Sequence, residues 1–283
     1  MLAKIKIYQL LPFMFLGLFI TSCKTSSKFI SSNESVFYTD SIYSKSLNEI
    51  RKHYVYLPKD FNNKKQYPII YATDGGCELT EKKSDLDSLI ENKLIRPCIF
   101  IASYSNDKIA DSTSMTLGNG QKVKLTYRNF EYVKDQYISD SLLKNRFKNH
   151  MSYFSEELIP YVEKQFKQSP TKENRFFYGV SNGAGFGLNL LSEKPELIGT
   201  YLCFSPFGTN PEDINWNSKI FYPNLYFTYG SDEPKFLKEN AELIKEKYSN
   251  SNSKIVISEF IGGHNDKYWS IDFNKYLSIV MKQ

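Results

Sequence analysis

The chain has 283 residues, of which 41% are hydrophobic and 24% charged, and its formal net charge is +5 at pH 7. This composition is typical of a folded globular protein and excludes extended disorder. The positive charge is small, includes Lys4 and Lys6 near the N-terminus, and forms no Lys/Arg stripe, so no nucleic-acid partner is expected.

The N-terminus has the pattern of a secretion signal. Lys4 and Lys6 precede the apolar run Leu10–Ile20, which is too short to span a bilayer comfortably. Small residues and then Cys23 follow, and this order resembles the lipobox of bacterial lipoproteins. We therefore expect residues 1–22 to be removed and Cys23 to be lipidated, because several acyl chains at about 0.8 kcal/mol per CH₂ hold a protein firmly on a membrane. The alternative is simple secretion, with Cys23 incidental.

The predicted location is the bacterial cell envelope, where the lipid-anchored protein faces the periplasm or the exterior. Residues 23–35 are rich in Ser, Thr, Lys and Asn without periodicity, which is typical of a tether. Residues 36–283 are predicted to form one domain, since no internal repeat or second domain is evident.

The remaining cysteines support neither a disulfide framework nor a zinc site. Cys77, Cys98 and Cys203 are odd in number and lack CxxC spacing. Cys98 and Cys203 lie inside apolar runs and are expected in the core.

Beyond the tether, short apolar runs alternate with longer helical patterns. Strands are predicted around residues 54–57, 68–72, 98–102, 176–178, 201–204, 225–228 and 255–257. Helices are predicted at 78–94, from 147 to about 162, at 183–191, from Pro234 to about 247, and at the C-terminal end. Repeated β–α alternation with continuous apolar strands indicates an α/β fold, in which a mostly parallel central sheet carries helices on both faces.

The stretch from Ser105 to about Leu143 is rich in Asp, Ser and Lys and matches no element well. It follows a predicted strand, at the edge where α/β sheets bind ligands. We therefore expect a long irregular binding loop or lid there.

The segment Gly179–Gly183 matches G-x-S-x-G between an apolar strand and a Gly/Ala-rich helix start. This context is that of a nucleophile elbow, in which a sharp turn exposes a serine hydroxyl and requires small neighbours. Ser181 is therefore the candidate nucleophile. The alternative is a serine in an ordinary glycine-rich turn.

A serine hydroxyl needs a base to take its proton, and the chain has three histidines. His53 and His150 precede Ser181. His264 follows Ser181, comes just after a predicted strand and directly follows a Gly-Gly turn. The α/β-hydrolase order is nucleophile, acid, histidine, so His264 is the candidate base.

The acid that orients this histidine should follow the strand at 225–228, where two adjacent carboxylates stand. We favour Glu233, and Asp232 stays open as the alternative.

Acyl transfer also needs donors for the oxyanion. The backbone N–H of Asn182 is one candidate, and the second comes from the glycine-rich loop after the strand at 68–72. Gly76 is the preferred residue there, Cys77 is the alternative, and a simple tight turn would have the same sequence.

Together these motifs resemble an esterase family of α/β-hydrolases that includes esterase D, feruloyl esterases, enterochelin-type siderophore esterases and mycolyltransferases. The resemblance covers residues 54–269, and its most specific carriers are the Gly179–Gly183 motif and Gly262-Gly263-His264 with Trp269. The other carriers are Tyr54-Val55-Tyr56-Leu57-Pro58, Tyr67-Pro68-Ile69-Ile70-Tyr71, Asp74-Gly75-Gly76, Arg128-Asn129-Phe130-Glu131-Tyr132 and Glu157-Leu158-Ile159-Pro160-Tyr161.

The resemblance implies an α/β-hydrolase fold, hydrolysis of carboxylic esters, and neither metal nor cofactor. It also supports Glu233, since the family acid lies three positions after the glycine that ends its strand, although many relatives carry Asp there. Arg128 and Glu131 are expected to form a loop-fixing ion pair, with contact to substrate as the alternative.

The sequence predicts a serine esterase that works through an acyl-enzyme on a small-molecule or carbohydrate ester, such as a carbohydrate-linked acyl or feruloyl ester or a siderophore ester. Two alternatives stay open. One is an acyltransferase that uses the same Ser-His-acid site, because the acyl-enzyme is shared. The other is a non-catalytic binding lipoprotein that keeps the fold without the chemistry.

Overall fold

The fold is built on a central β-sheet. The computed structural model describes residues 33–75, 81–116, 120, 122–134, 143–217, 219–249 and 253–282. Within these residues the strands are β1 Val36–Ser44, β2 Glu49–Leu57, β3 Ile69–Ala72, β4 Ile99–Ser103, β5 Ile109–Thr116, β6 Lys122–Thr126, β7 Arg175–Val180, β8 Thr200–Phe204, β9 Asn224–Gly230 and β10 Ile255–Phe260.

In this part of the chain, eight of the strands form one sheet in the order β1-β2-β4-β3-β7-β8-β9-β10. From β4 to β10 neighbouring strands run parallel, whereas β1 and β2 are antiparallel at one edge. Every residue of β3, β4 and β8 is buried, which explains their continuous apolar sequences. The predicted mostly parallel sheet is confirmed.

The helices lie on both faces of this sheet. Their bounds are α1 Glu81–Glu91, α2 Tyr127–Tyr132, α3 Arg146–Ser152, α4 Ile159–Gln165, α5 Ser181–Glu193, α6 Phe236–Ser249 and α7 Asp266–Val280, with a π-helical turn at Tyr153–Leu158 and 3₁₀ turns at Lys172–Asn174 and Pro211–Asp213. One apolar core packs α3 to α6 against the sheet, and a second core packs α1 and α7 against the opposite face. The predicted α/β arrangement with helices on both faces is therefore confirmed.

The stretch from residue 105 to 143 is more ordered than its sequence predicts. β5 and β6 pair with each other as a separate two-stranded sheet, and α2 follows directly. The prediction of one long irregular loop is wrong for these parts. Neither β5 nor β6 has the continuous apolar run that predicts the strands of the main sheet.

The first strand of the described residues, β1, begins at Val36. The predicted signal peptide, residues 1–22, and the predicted lipidation site, Cys23, lie outside the described residues. None of the helices in the described ranges is both long and apolar enough to cross a bilayer.

The burial of His53 predicts that the folded protein loses stability at acid pH. Its ring is fully buried, and neither ring nitrogen has a hydrogen-bond partner among the described residues. Burial lowers the pKa of His53 from 6.5 to about 4, with nearby Asp40 acting in the opposite direction. Between pH 6.5 and about 4, His53 is therefore protonated in the unfolded chain but neutral in the folded chain. The free energy of unfolding falls as the pH is lowered through this range.

We expect this one group to remove up to about 3 kcal/mol of unfolding free energy across that window. Urea titrations at pH 7.5 and pH 4.5 check it, with His53→Phe losing less stability on acidification than the wild type. An equal loss in both proteins would contradict the assignment.

Candidate active site

Ser181 occupies a sharp turn between strand and helix. β7 ends at Val180 and α5 begins at Ser181, which has a φ of 53°, in the left-handed region that favours glycine. A Cβ on Gly179 would lie 2.7 Å from the Gly183 carbonyl oxygen, and a Cβ on Gly183 would lie 2.2 Å from Thr73 Oγ1. Gly179 is therefore required by close contact with the helix backbone, and Gly183 by close contact with the side chain of Thr73.

His264 lies beside this turn, 83 residues further along the chain. Its Nε2 is 3.0 Å from Ser181 Oγ, so the neutral ring with a proton on Nδ1 can accept the hydroxyl proton. The rings of Phe207 and Trp269 contact the imidazole edge-on, at centroid distances of 4.7 and 4.6 Å. The imidazole is held between two aromatic rings yet stays 37% exposed, so a substrate can reach it.

Glu233 is the carboxylate that faces His264. Its Oε1 is 2.5 Å from His264 Nδ1, and its side chain is only 1% exposed. The other oxygen, Oε2, accepts hydrogen bonds from the Gly230 N–H at 2.6 Å and the Ser205 hydroxyl at 2.7 Å. Asp232 is exposed, and its Oδ1 accepts from the neighbouring Ser231 hydroxyl. Of the two candidate acids, the structure brings Glu233 to the histidine.

These hydrogen bonds keep Glu233 charged. Burial alone would raise the pKa of this carboxyl, but the hydrogen bonds from His264, the Gly230 N–H and Ser205 outweigh it and hold the pKa below its usual range. A charged carboxylate at Nδ1 fixes the tautomer in which Nε2 faces the serine and stabilises an imidazolium.

Ser205 is a site residue that the sequence analysis missed. It follows the last residue of β8, and its hydroxyl links Trp269 Nε1, which donates to it at 2.9 Å, to the Glu233 carboxylate. Trp269 was expected only as a family marker, and the structure gives it this contact. A serine directly after a buried strand, at the edge that carries the elbow, was the available signal.

The other two histidines are buried and do not take part in this site. His150, like His53, is completely buried, and burial together with Arg51 and Arg146 lowers its pKa well below the usual value. Buried neutral rings of this kind cannot serve a substrate arriving from solvent.

The backbone hydrogen bonds show which N–H groups near Ser181 are already paired and so reduce the number of candidate oxyanion donors. Asn182 is the second residue of α5, where the N–H groups have no partner within the helix. In the loop after β3, the Thr73, Asp74 and Gly75 N–H groups donate to Tyr178 O, Tyr132 Oη and Ser103 O at 3.2, 3.3 and 2.6 Å. The next N–H along the chain belongs to Gly76, which lies with Cys77 outside the described residues.

Arg128 and Glu131 do not pair with each other, so that prediction is wrong. Arg128 binds the Asp74 carboxylate, whereas the fully buried Glu131 binds Arg51 and Arg146. Residues three apart on a helix can face the same side, but here each finds an oppositely charged partner elsewhere in the fold.

The chain is similar to known proteins in sequence and in fold. The family model described as "Putative esterase" matches residues 44–278. The uncharacterized protein YjcH of Bacillus subtilis (strain 168) is 21% identical over 241 residues, covering 80% of this chain and 90% of that protein.

Solved structures share the fold at low identity. A ferulic acid esterase superposes with a TM-score of 0.65 at 18% identity, covering 88% of this chain and 98% of its own. An IroE-like serine hydrolase from Shewanella oneidensis gives 0.64 at 14%, covering 87% and 80%. S-formylglutathione hydrolase from Staphylococcus aureus gives 0.60 at 14%, covering 88% and 98%. The α/β-hydrolase fold is thereby established.

Proposed function

Since this chain belongs to the esterase family of α/β-hydrolases and is a serine carboxylic-ester hydrolase, we propose that Ser181, His264 and Glu233 carry out the hydrolysis. The observation that carries the proposal is the unbroken line of contacts from Ser181 Oγ through the imidazole to the Glu233 carboxylate, at 3.0 and 2.5 Å.

The proposed reaction has two acyl-transfer steps. Ser181 Oγ attacks the ester carbonyl carbon while His264 Nε2 takes the hydroxyl proton. The tetrahedral intermediate then expels the alcohol, which receives that proton from the imidazolium, and leaves the acyl group on Ser181. A water molecule repeats the sequence, giving the free acid and restoring the serine. Asn182 N–H, with Gly76 as the second proposed donor, stabilises the negative oxygen in both intermediates.

For the substrate we propose an ester of an aromatic acid, with feruloyl esters of carbohydrates as the first candidate. Phe207 packs against His264, and Phe236, which is exposed, packs against Phe207 with centroids 5.1 Å apart. Aromatic faces beside the base suit a planar acyl group. Among the structural neighbours, a feruloyl esterase from Anaeromyces mucronatus is in complex with ferulic acid.

A panel of esters tests this choice. Methyl ferulate and a feruloylated oligosaccharide should give a higher kcat/KM than acetyl esters. Because p-nitrophenyl acetate has a better leaving group, its kcat/KM is corrected for that difference, with ethyl acetate as the reference. Preference for a catecholate siderophore ester would overturn the feruloyl assignment. If an alcohol acceptor is supplied and the product is a new ester rather than the free acid, hydrolysis is overturned in favour of acyl transfer.

We also propose that the protein is anchored in the cell envelope through Cys23. The support is the leader pattern ending at this cysteine and the tether that separates it from β1. Cys23→Ala should move the protein from the membrane to the soluble fraction, because the acyl chains supply the attachment. Fractionation with immunoblotting measures this, and an unchanged membrane fraction would contradict lipidation.

A further inference from the structure

A carboxylate lies unexpectedly close to the start of α5. Asp74, in the loop after β3, has a φ of 58° and a side chain that is 11% exposed. A Cβ built on Gly183 would lie 2.7 Å from Asp74 Oδ2, so this oxygen packs against the first turn of the helix. Gly183 directly follows Asn182, whose N–H is the proposed oxyanion donor.

A bare negative charge at this position would oppose the reaction. The intermediate gathers negative charge on the carbonyl oxygen beside the same helix turn. For two unit charges about 7 Å apart, Coulomb's law with an effective dielectric constant of about 20 gives an energy that corresponds to a rate factor of about 50.

Arg128 supplies the compensating charge. Its Nε and one terminal nitrogen donate to the two Asp74 oxygens at 2.5 and 3.0 Å, a two-bond pair with fixed geometry. The guanidinium also lies 5.1 Å from the centre of the Tyr132 ring, and Tyr132 Oη accepts the Asp74 N–H. Arg128 and Tyr132 therefore hold the same residue from two sides.

The helix that carries both residues is itself fixed. Within α2, Glu131 is fully buried and accepts hydrogen bonds from Arg51 and Arg146. At the start of the helix, Asn129 Oδ1 accepts the Thr126 N–H at 2.9 Å. The rigid short helix places Arg128 where it meets Asp74.

We propose that Arg128 is a positioning residue that acts through Asp74: it neutralises the carboxylate beside the first turn of α5 and so lets the oxyanion form there. This inference rests on the proposed function. It predicts that the harm done by removing Arg128 comes from the Asp74 charge, and that removing this charge as well restores catalysis.

The test is a double-mutant cycle on kcat and KM for p-nitrophenyl acetate. Arg128→Met should lower kcat about 10- to 100-fold with KM changed less than about 3-fold. The double variant Arg128→Met with Asp74→Asn should recover most of the lost kcat. Arg128→Lys keeps the charge and should stay within about 5-fold of the wild type.

Arg175→Met is the matched control. Arg175 makes the same two-bond pair with Glu163 at 2.6 and 3.0 Å, and the exposed fractions, 19% and 15%, are close to those of Arg128 and Asp74, 21% and 11%. This pair lies at the start of β7, at the opposite end of the strand from Ser181. Arg175→Met should change stability in urea but leave kcat nearly unchanged.

A double variant no faster than Arg128→Met would overturn the proposal, because a purely structural pair gains nothing from losing its second member. If Arg128→Met does not fold, Asp74→Asn alone decides: kcat within about 5-fold of the wild type supports the proposal, and a larger fall overturns it. Failure of the proposed function looks different, since the wild type would then lack esterase activity or Ser181→Ala would keep it.

Discussion

Replacing Ser181 with alanine should lower kcat for p-nitrophenyl acetate by at least about 10⁴-fold, because in the described part of the chain its hydroxyl is the one that lies against His264 Nε2. Steady-state kinetics at pH 7.5 measures the loss. Any residual rate would come from the oxyanion donors and substrate binding, which the substitution leaves in place.

Two comparisons make this result specific. The urea midpoint should stay near the wild-type value, since Ser181 is held by backbone geometry and alanine occupies less space. Ser155→Ala, which removes a buried hydroxyl that donates to Met151 O one turn earlier in the same helical stretch, should leave kcat unchanged. Turnover by Ser181→Ala at the wild-type rate would eliminate Ser181 as the nucleophile.

Replacing Glu233 with glutamine should lower kcat by about 10³- to 10⁴-fold. The amide cannot stabilise an imidazolium, and its NH₂ group favours the tautomer with the proton on Nε2, which turns a donor towards Ser181. Although burial opposes its charge, the hydrogen bonds of this carboxylate hold its pKa below the usual range, so the charge is present throughout the neutral range in the wild type.

Asp232→Asn is the matched control, since it makes the same chemical change one residue away. We expect kcat within about 3-fold of the wild type, because Asp232 is exposed and its carboxylate bonds Ser231. A large loss in Asp232→Asn with little effect of Glu233→Gln would reverse the assignment of the acid.

Local sequence pattern was sufficient for the parts of the site that are fixed by local geometry. The elbow could be predicted because the turn at Ser181 tolerates only glycine at 179 and 183, and this requirement is visible in five consecutive residues. His264 could be predicted from its order in the chain and its place after a strand.

The local sequence alone did not decide between Glu233 and Asp232 as the acid, and the structure was needed. Adjacent residues differ only in direction, and direction depends on how the turn after β9 packs. Ser205 and the pair of Asp74 with Arg128 escaped prediction for a related reason, since their partners are 28 and 54 residues away and meet only when the strands align.

The elements missed in the fold share a different property. β1 has one solvent-facing side at the sheet edge, and β5 and β6 pair outside the main sheet, so none of them has a continuous apolar run. α2 is six residues long, too short for a helical period, and is fixed by the buried contacts of Glu131.

Covalent labelling of the native protein with a fluorophosphonate, followed by peptide mass spectrometry, tests most directly whether Ser181 is the activated hydroxyl. One phosphonyl group should be found on the peptide that contains Ser181, and His264→Ala should slow its formation by several orders of magnitude. A wild-type protein that stays unlabelled, or that carries the adduct on another residue, would contradict an activated serine at the start of α5.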